Sequence, residues 1–106
     1  MKNKLFSEII NNCEGEYGVI PKKMILDKNL TSFDLRIYAE LTRMINNDGK
    51  ERISAVHVAV TFDVTEQYAG QCFKRLRKAG WIYQVRDKVY NMLFYYPTER
   101  NTCTQQ

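Results

Sequence analysis

Residues 54–82 read SAVHVAVTFDVTEQYAGQCFKRLRKAGWI, and this stretch decides the fold. Ser54 and Thr65 each stand just before a run whose apolar residues recur at helical spacing, and serine or threonine at that place caps a helix N-terminus. We therefore expect one helix over Ala55–Phe62 and a second that Thr65 caps. The second helix should end at Gly80, because glycine readily adopts the left-handed conformation of a helix C-terminal cap.

A longer amphipathic helix is predicted upstream of this pair. Thr31 and Asp34 have the spacing of a capping box, and the sequence after Asn46 supplies a stop with Asn, Asp and Gly. At about 100° per residue one face of this helix is apolar. That face comprises Leu35, Tyr38, Leu41, Thr42 and Ile45.

The flanking segments complete a prediction of one α+β domain, which is all that 106 residues can build around a core. Asn3–Asn12 could form a short helix, and residues 17–26, YGVIPKKMIL, look extended. WIYQVR and VYNMLFYY, separated by little more than Asp87 and Lys88, have hairpin spacing. We expect an N-terminal extension over residues 1–16, the folded domain over 17–97, and a disordered tail over 98–106.

A short apolar piece around Ile53 lies between the first long helix and Ser54. The predicted order is helix, short strand, helix, turn, helix, hairpin, which is the order of a winged helix-turn-helix domain with a three-helix core. AVTFDVTEQYAGQCFKRLRKAGWI also resembles the bacterial form of that family. One departure is Asp63, where the turn usually carries glycine, although aspartate tolerates a left-handed conformation. The family positions are filled by Ala59, Phe62, Thr65, Ala69, Phe73, Leu76, Gly80, Trp81 and Ile82.

The upstream run VIPKKMILDKNLTSFDLRIYAEL adds a second resemblance. It is similar to the segment that opens winged-helix domains in replication initiators and primosomal proteins of plasmids, phages and mobile elements of Gram-positive bacteria. The resemblance implies a DNA-binding protein that acts in replication or maintenance of a mobile element. Winged helices also serve in transcription and in protein contacts, so those roles stay open.

The positive charge of the chain is concentrated in one stretch. The net charge is +4, yet residues 71–90 hold six basic residues and one acidic, whereas the rest of the chain is slightly acidic. On the helix that Thr65 caps, the side opposite the apolar residues is polar and basic, as a helix that enters a DNA groove requires. The predicted DNA-binding residues are Thr65, Gln67, Gly70, Gln71, Lys74, Arg75 and Lys78, with Arg86 and Lys88 from the hairpin.

Two of these choices have plainer alternatives. Lysine and arginine also solvate exposed helices that bind nothing, and Gly70 could serve a close contact with the first long helix instead of a contact with DNA. Arg77 is expected to turn toward the other side of its helix.

The hairpin is rich in aromatic residues. Trp81 and Phe94 are expected to pack in the core, while Tyr83, Tyr90 and Tyr96 could be exposed. Exposed rings beside basic side chains can stack on unpaired bases or form a dimer surface. Single-stranded DNA binding, homodimerisation and docking of a replication helicase or polymerase are therefore alternatives to duplex binding.

Catalytic chemistry finds no support in the sequence. His57 is the single histidine, three cysteines are too far apart for a zinc pair, and no glycine-rich phosphate loop occurs. We predict no enzyme activity, no metal and no cofactor. An odd number of cysteines and the lack of a long apolar run favour the cytoplasm and no membrane association.

Overall fold

The computed structural model describes residues 18–45, 50 and 52–98, which form a small α+β domain. The predicted N-terminal helix and nearly all of the predicted tail lie outside the described residues. In the described part, four helices precede one antiparallel hairpin. The elements are α1 (Lys22–Ile25), α2 (Ser32–Arg43), α3 (Ala55–Phe62), α4 (Glu66–Lys78), β1 (Ile82–Asp87) and β2 (Met92–Pro97).

Side-chain caps begin the three longer helices, as the sequence predicts. The Thr31 hydroxyl accepts a hydrogen bond from the Asp34 N–H at 3.2 Å, and the Thr31 N–H donates to Asp34 Oδ2 at 2.9 Å, which completes the capping box. The Ser54 hydroxyl accepts from the His57 N–H to cap α3, and the Thr65 hydroxyl accepts from the Tyr68 N–H to cap α4. Each cap stabilises its helix by about 1 kcal/mol.

The predicted chain reversals are also confirmed. Asp63 ends α3 with φ of 58°, in the left-handed region, and Gly80 follows α4 with φ of 88°. Three residues, Asp63 to Thr65, therefore connect α3 to α4. A short connection of this kind fixes the angle at which the two helices meet.

The core lies between the helices and one face of the hairpin. The apolar residues that recur at helical spacing along α4 are all buried: Ala69, Cys72, Phe73 and Leu76. The Phe73 ring stacks on Tyr95 of β2 with ring centroids 3.9 Å apart. Ile53 forms an isolated antiparallel bridge with Tyr95, which attaches the segment before α3 to the hairpin. Trp81 is buried as predicted, and its Nε1 donates to Asp27 Oδ2 at 3.3 Å.

Two local predictions are wrong. Residues 22–25 form α1 instead of an extended segment, because the N–H groups of Met24 and Ile25 both donate to the Pro21 carbonyl. The buried residues of α2 include Ile37, which the predicted apolar face omitted, whereas Leu35 is half-buried. The α-helical part of α2 covers Ser32–Arg43 and helical structure continues through Ile45, so the predicted stop after Asn46 lies outside the described residues.

The hairpin turn is also longer than predicted. It covers residues 88–91, because the Asp87 carboxylate accepts hydrogen bonds from the N–H groups of Val89 and Tyr90, and Asn91 is left-handed with φ of 54°. Asparagine is among the few residues that adopt this conformation readily.

A buried ion pair joins α2 to α4. Asp34 is fully buried, and Arg75 donates to both carboxylate oxygens, from Nε to Oδ2 at 2.7 Å and from Nη2 to Oδ1 at 3.0 Å. Burial alone would raise the pKa of Asp34. Hydrogen bonds from Arg75 and from the Thr31 N–H outweigh burial and hold that pKa below its ordinary value.

We predict that Arg75→Ala destabilises the domain by about 3 kcal/mol, because it leaves a buried carboxylate without its partner. Arg77→Ala is the matched control: Arg77 is exposed, and its loss should change the free energy of unfolding by less than about 0.5 kcal/mol. Urea unfolding at neutral pH measures both. Equal stability of the two variants would show that the ion pair does not hold the helices together.

We also predict that acid removes the contribution of Asp34. A carboxyl group with a lowered pKa in the folded state stabilises the protein above its ordinary pKa and loses this effect as the pH falls through the folded value. The stability difference between the wild type and Asp34→Asn should therefore narrow below about pH 4. Unfolding curves at successive pH values test this, and a difference that does not vary with pH would contradict it.

Candidate nucleic-acid interface

Helix α4 presents a polar side to solvent. Its apolar side is buried against α2 and the hairpin, which forces the opposite side outward at about 100° per residue. Thr65, at the start of the helix, is exposed as well, but its hydroxyl is engaged by the Tyr68 N–H. The exposed predicted residues on the outward side are Gln67, Gln71, Lys74 and Lys78.

The two lysines on this side are free to bind a ligand. Among the described residues, neither Lys74 nor Lys78 forms a hydrogen bond or an ion pair with another side chain. Gln67 and Gln71 lie one turn apart in the first half of the helix. The surface thus combines amide groups near the helix N-terminus with ammonium groups toward its C-terminus.

Gly70 lies at the edge of this surface with no packing role that explains it. A Cβ atom built on Gly70 would meet nothing within 4 Å, so the alternative that this glycine permits close contact with α2 is wrong. Glycine inside a helix costs about 1 kcal/mol relative to alanine. Nothing in the described part of the chain requires that cost.

Arg75 does not belong to the surface. Its guanidinium is held by both oxygens of Asp34, and it also lies 3.5 Å from Cys72 Sγ. We therefore remove Arg75 from the predicted DNA-binding residues. The sequence gives no sign of this pairing, because 41 residues separate the two partners.

The sequence predicts that Arg77 turns away from the outward side of α4, but in the structure Arg77 extends the exposed polar surface of that helix. Its Nη1 donates to Gln84 Oε1 at 3.0 Å, and both side chains are exposed. Arg86 lies two residues beyond Gln84 and so on the same face of β1. The basic surface therefore continues from α4 onto the hairpin. Helical spacing could have indicated this, since Arg77 lies two turns after Gly70.

The hairpin tip carries few charges. Arg86 and Lys88 are exposed, as a phosphate contact requires, and between them Asp87 is engaged by the turn. Val89, in the turn at the tip, is apolar although 85% of its surface is exposed.

The aromatic residues of the hairpin are divided between its two faces. Tyr95 enters the core, while Tyr83 and Tyr96 are cross-strand partners on the outer face and stack with ring centroids 5.3 Å apart. Tyr90 lies in the turn, with its ring edge toward Phe94. Phe94 is half-buried on the outer face and is not part of the core proper.

Arg52, which sequence reasoning did not select, lies over this outer face. Its guanidinium is 3.8 Å from the Phe94 ring centroid and donates to Asp87 Oδ2 at 2.8 Å. The backbone N–H of Tyr90 and the Arg52 guanidinium hold the pKa of Asp87 below its ordinary value. The pair is therefore ionised and neutralises itself.

The other titratable groups have structural partners. His57 Nε2 lies 2.8 Å from Glu40 Oε2, and Arg43 donates to both oxygens of Glu40. Hydrogen bonds from Arg43 and His57, together with their charges, lower the pKa of Glu40 although burial opposes this. Burial raises the pKa of the Cys72 thiol to about 12, so at neutral pH it is protonated and unreactive.

The described residues contain no group of three or more His, Cys, Asp or Glu side chains that could bind a metal ion. Among the same residues, no helix combines the length and apolar character that a membrane crossing needs. Comparison with protein-family models, with curated proteins and with solved structures returned no match.

Proposed function

We propose that this chain is a non-catalytic DNA-binding protein of the winged helix-turn-helix class that inserts α4 into the major groove of duplex DNA. The observation that carries the proposal is the outward side of α4. Two glutamines and two lysines are exposed there on a helix whose other side is fixed in the core. A helix anchored in this way can enter a groove without rearrangement.

The arrangement of the elements supports the class. Helices α3 and α4 are joined by three residues, the length of a helix-turn-helix connection. The bridge between Ile53 and Tyr95 adds a short strand before α3 to the C-terminal hairpin. In such a domain the second helix of the pair contacts bases and the hairpin contacts the backbone beside it.

The chemistry of the side chains assigns roles within the interface. Lys74 and Lys78 supply point charges for phosphates, and the amides of Gln67 and Gln71 can pair with an adenine edge. Arg77, held against Gln84, and Arg86 would meet the backbone where it passes between α4 and the hairpin. The affinity for DNA should therefore fall as the salt concentration rises, and only a few contacts to bases should determine sequence specificity.

The resemblance of residues 59–82 to the bacterial winged-helix pattern supports the class. The resemblance of residues 19–41 to replication initiators and primosomal proteins supports a role in replication or maintenance of a mobile element in the cytoplasm. A transcriptional regulator would use the same surface. Docking to a helicase or polymerase would require a second surface.

We predict that Lys74→Ala with Lys78→Ala weakens binding to a random-sequence duplex and reduces the salt dependence. Each phosphate contact contributes about 0.9 to the slope of log affinity against log salt, so the slope should fall by about 2. Fluorescence anisotropy with a duplex of about 20 base pairs, between about 50 and 200 mM salt, measures this.

Lys22→Ala with Lys23→Ala is the control, because it removes the same charge from α1 and should leave the slope unchanged. The single strand of the same sequence serves as a second probe. If the wild type prefers the single strand, the hairpin and not α4 takes the nucleic acid. If it binds neither probe, DNA binding is wrong.

We further predict that Gly70→Ala makes the domain more stable and a weaker DNA binder. Alanine should stabilise the helix by about 0.5–1 kcal/mol, since open space receives its methyl group. The same methyl group would obstruct close approach of the DNA backbone, and loss of one contact should lower duplex affinity by about tenfold. Parallel unfolding and anisotropy measurements test this. A variant that is more stable and binds as well as the wild type would show that DNA does not approach Gly70.

A further inference from the structure

A cavity of about 570 Å³ lies between the outer face of the hairpin and the segment that leads into α3. This volume falls within the range of sites that take a small organic ligand, roughly 300–1,000 Å³. The hairpin supplies alternate residues of β2, whose side chains point to its outer face, and one residue of its turn. Met44 and Ile53, both buried, add apolar surface.

Three aromatic rings line the cavity: Tyr90, Phe94 and Tyr96. The Arg52 guanidinium covers one side of Phe94 at 3.8 Å from the ring centroid, and Tyr83 stacks on one side of Tyr96. Tyr90 is more open, because it is 62% exposed and meets Phe94 in an edge contact with ring centroids 6.3 Å apart. Of the three rings, Tyr90 therefore has the most surface left for a flat ligand.

The polar part of the cavity is basic. The described residues that line it include Lys50, Arg52 and His57 and no acidic residue. Lys50 is exposed, and its side chain forms no ion pair with another described residue. Arg52 is engaged by Asp87 and by the Tyr96 hydroxyl, but a guanidinium has five N–H groups, so donors remain. An anion in the cavity would meet one unpaired ammonium group and these further donors.

The backbone beside the cavity offers little to a peptide. The Ile53 N–H donates to the Tyr95 carbonyl at 3.0 Å, and the Tyr95 N–H donates to the Ile53 carbonyl at 2.8 Å. The edge of β2 that faces away from β1 is therefore already paired at this position. Because that edge is occupied, an extended peptide cannot add to β2 here as a further strand. A ligand of the cavity must bind through side chains, that is, through rings and cations.

We infer that the cavity binds one unpaired nucleotide of a single strand, with its base against Tyr90 and its phosphate on Lys50 and Arg52. A nucleotide carries a flat ring and an anion close together, which is the combination that this cavity can receive. Stacking on an aromatic ring accepts every base, so we expect little sequence preference. Lys88, exposed in the same turn as Tyr90, can meet a second phosphate, which a strand has and a free mononucleotide lacks.

The inferred site does not depend on duplex binding by α4. Helix α4 packs on the inner face of the hairpin, where Phe73 stacks on Tyr95, whereas the cavity lies on the outer face. A strand in the cavity therefore leaves Lys74 and Lys78 exposed. Simultaneous binding of a duplex and an unpaired strand would follow only if the proposed function is also correct.

Fluorescence anisotropy of a labelled oligothymidine of about six nucleotides, with the full chain and no duplex present, tests the site. We expect Tyr90→Ala to weaken binding by about tenfold, whereas Tyr90→Phe keeps the ring and the affinity. Lys50→Ala should reduce the slope of log affinity against log salt by about 0.7, the value for one phosphate of a single strand. Arg52 is left unchanged because its ion pair with Asp87 also supports the hairpin.

Lys28→Ala is the charge control, because it removes an exposed lysine from the loop between α1 and α2, outside the cavity. It should bind the oligothymidine as the wild type does. Urea unfolding verifies that each variant is folded. In a background with Lys74→Ala and Lys78→Ala, the difference between Tyr90→Phe and Tyr90→Ala should persist, so a failure of the proposed duplex binding leaves this result readable.

Four results would overturn the inference. The first is a wild type that does not bind the oligothymidine at about 1 mM protein, and the second is a folded Tyr90→Ala that binds it as well as the wild type does. The third is competition by thymidine monophosphate or inorganic phosphate that matches the unlabelled oligothymidine, which would assign the cavity to a free anion. The fourth is stronger competition by a peptide of aspartate and phenylalanine, which would assign the cavity to a protein partner.

Discussion

Asp34 determines how the rest of the domain is oriented. Its carboxylate accepts the Thr31 N–H at the start of α2 and both donors of Arg75 from α4, so one buried group joins two helices. The apolar residues of α4 alone would permit some rotation about its axis. The ion pair adds a second contact at a different position around the same helix and so opposes that rotation. As a result, the side of α4 that faces solvent is the one that carries Gln67, Gln71, Lys74 and Lys78.

The choice of residue types at this junction follows from its burial. The oxygens of a fully buried carboxylate such as Asp34 need hydrogen-bond donors. The planar guanidinium of arginine can donate to both oxygens at once, which the ammonium group of lysine cannot do with the same geometry. Part of the guanidinium stays in contact with solvent, with the side chain 34% exposed, so the desolvation cost falls mainly on Asp34. The capping box offsets part of that cost, because the same oxygen that binds Arg75 Nε also caps α2.

The features that the sequence predicts correctly are those encoded within a few residues. The caps at Ser54 and Thr65 and the left-handed positions at Asp63 and Gly80 each depend on one turn of chain. The buried side of α4 is likewise predicted by its period. The failures are of another kind: Asp34 and Arg75 are 41 residues apart, and Arg52 and Asp87 are 35 residues apart. No local sequence pattern indicates which basic residue pairs with which acidic residue. The sequence therefore places Arg75 among the predicted DNA-binding residues and offers no reason to select Arg52.

The two surfaces of the hairpin depend on its register. Along β1 the residues alternate between the basic side, with Gln84 and Arg86, and the apolar outer side, with Tyr83 and Val85. A slip of one residue would exchange the two sets and turn the buried side chain of Ile82 away from the core. Contacts at both ends of the hairpin oppose such a slip: the bridge between Ile53 and Tyr95, and the ion pair between Arg52 and Asp87. Both contacts come from the short segment before α3, which lies outside the hairpin. This segment therefore determines which face of the hairpin continues the basic surface of α4 and which face is the apolar outer one.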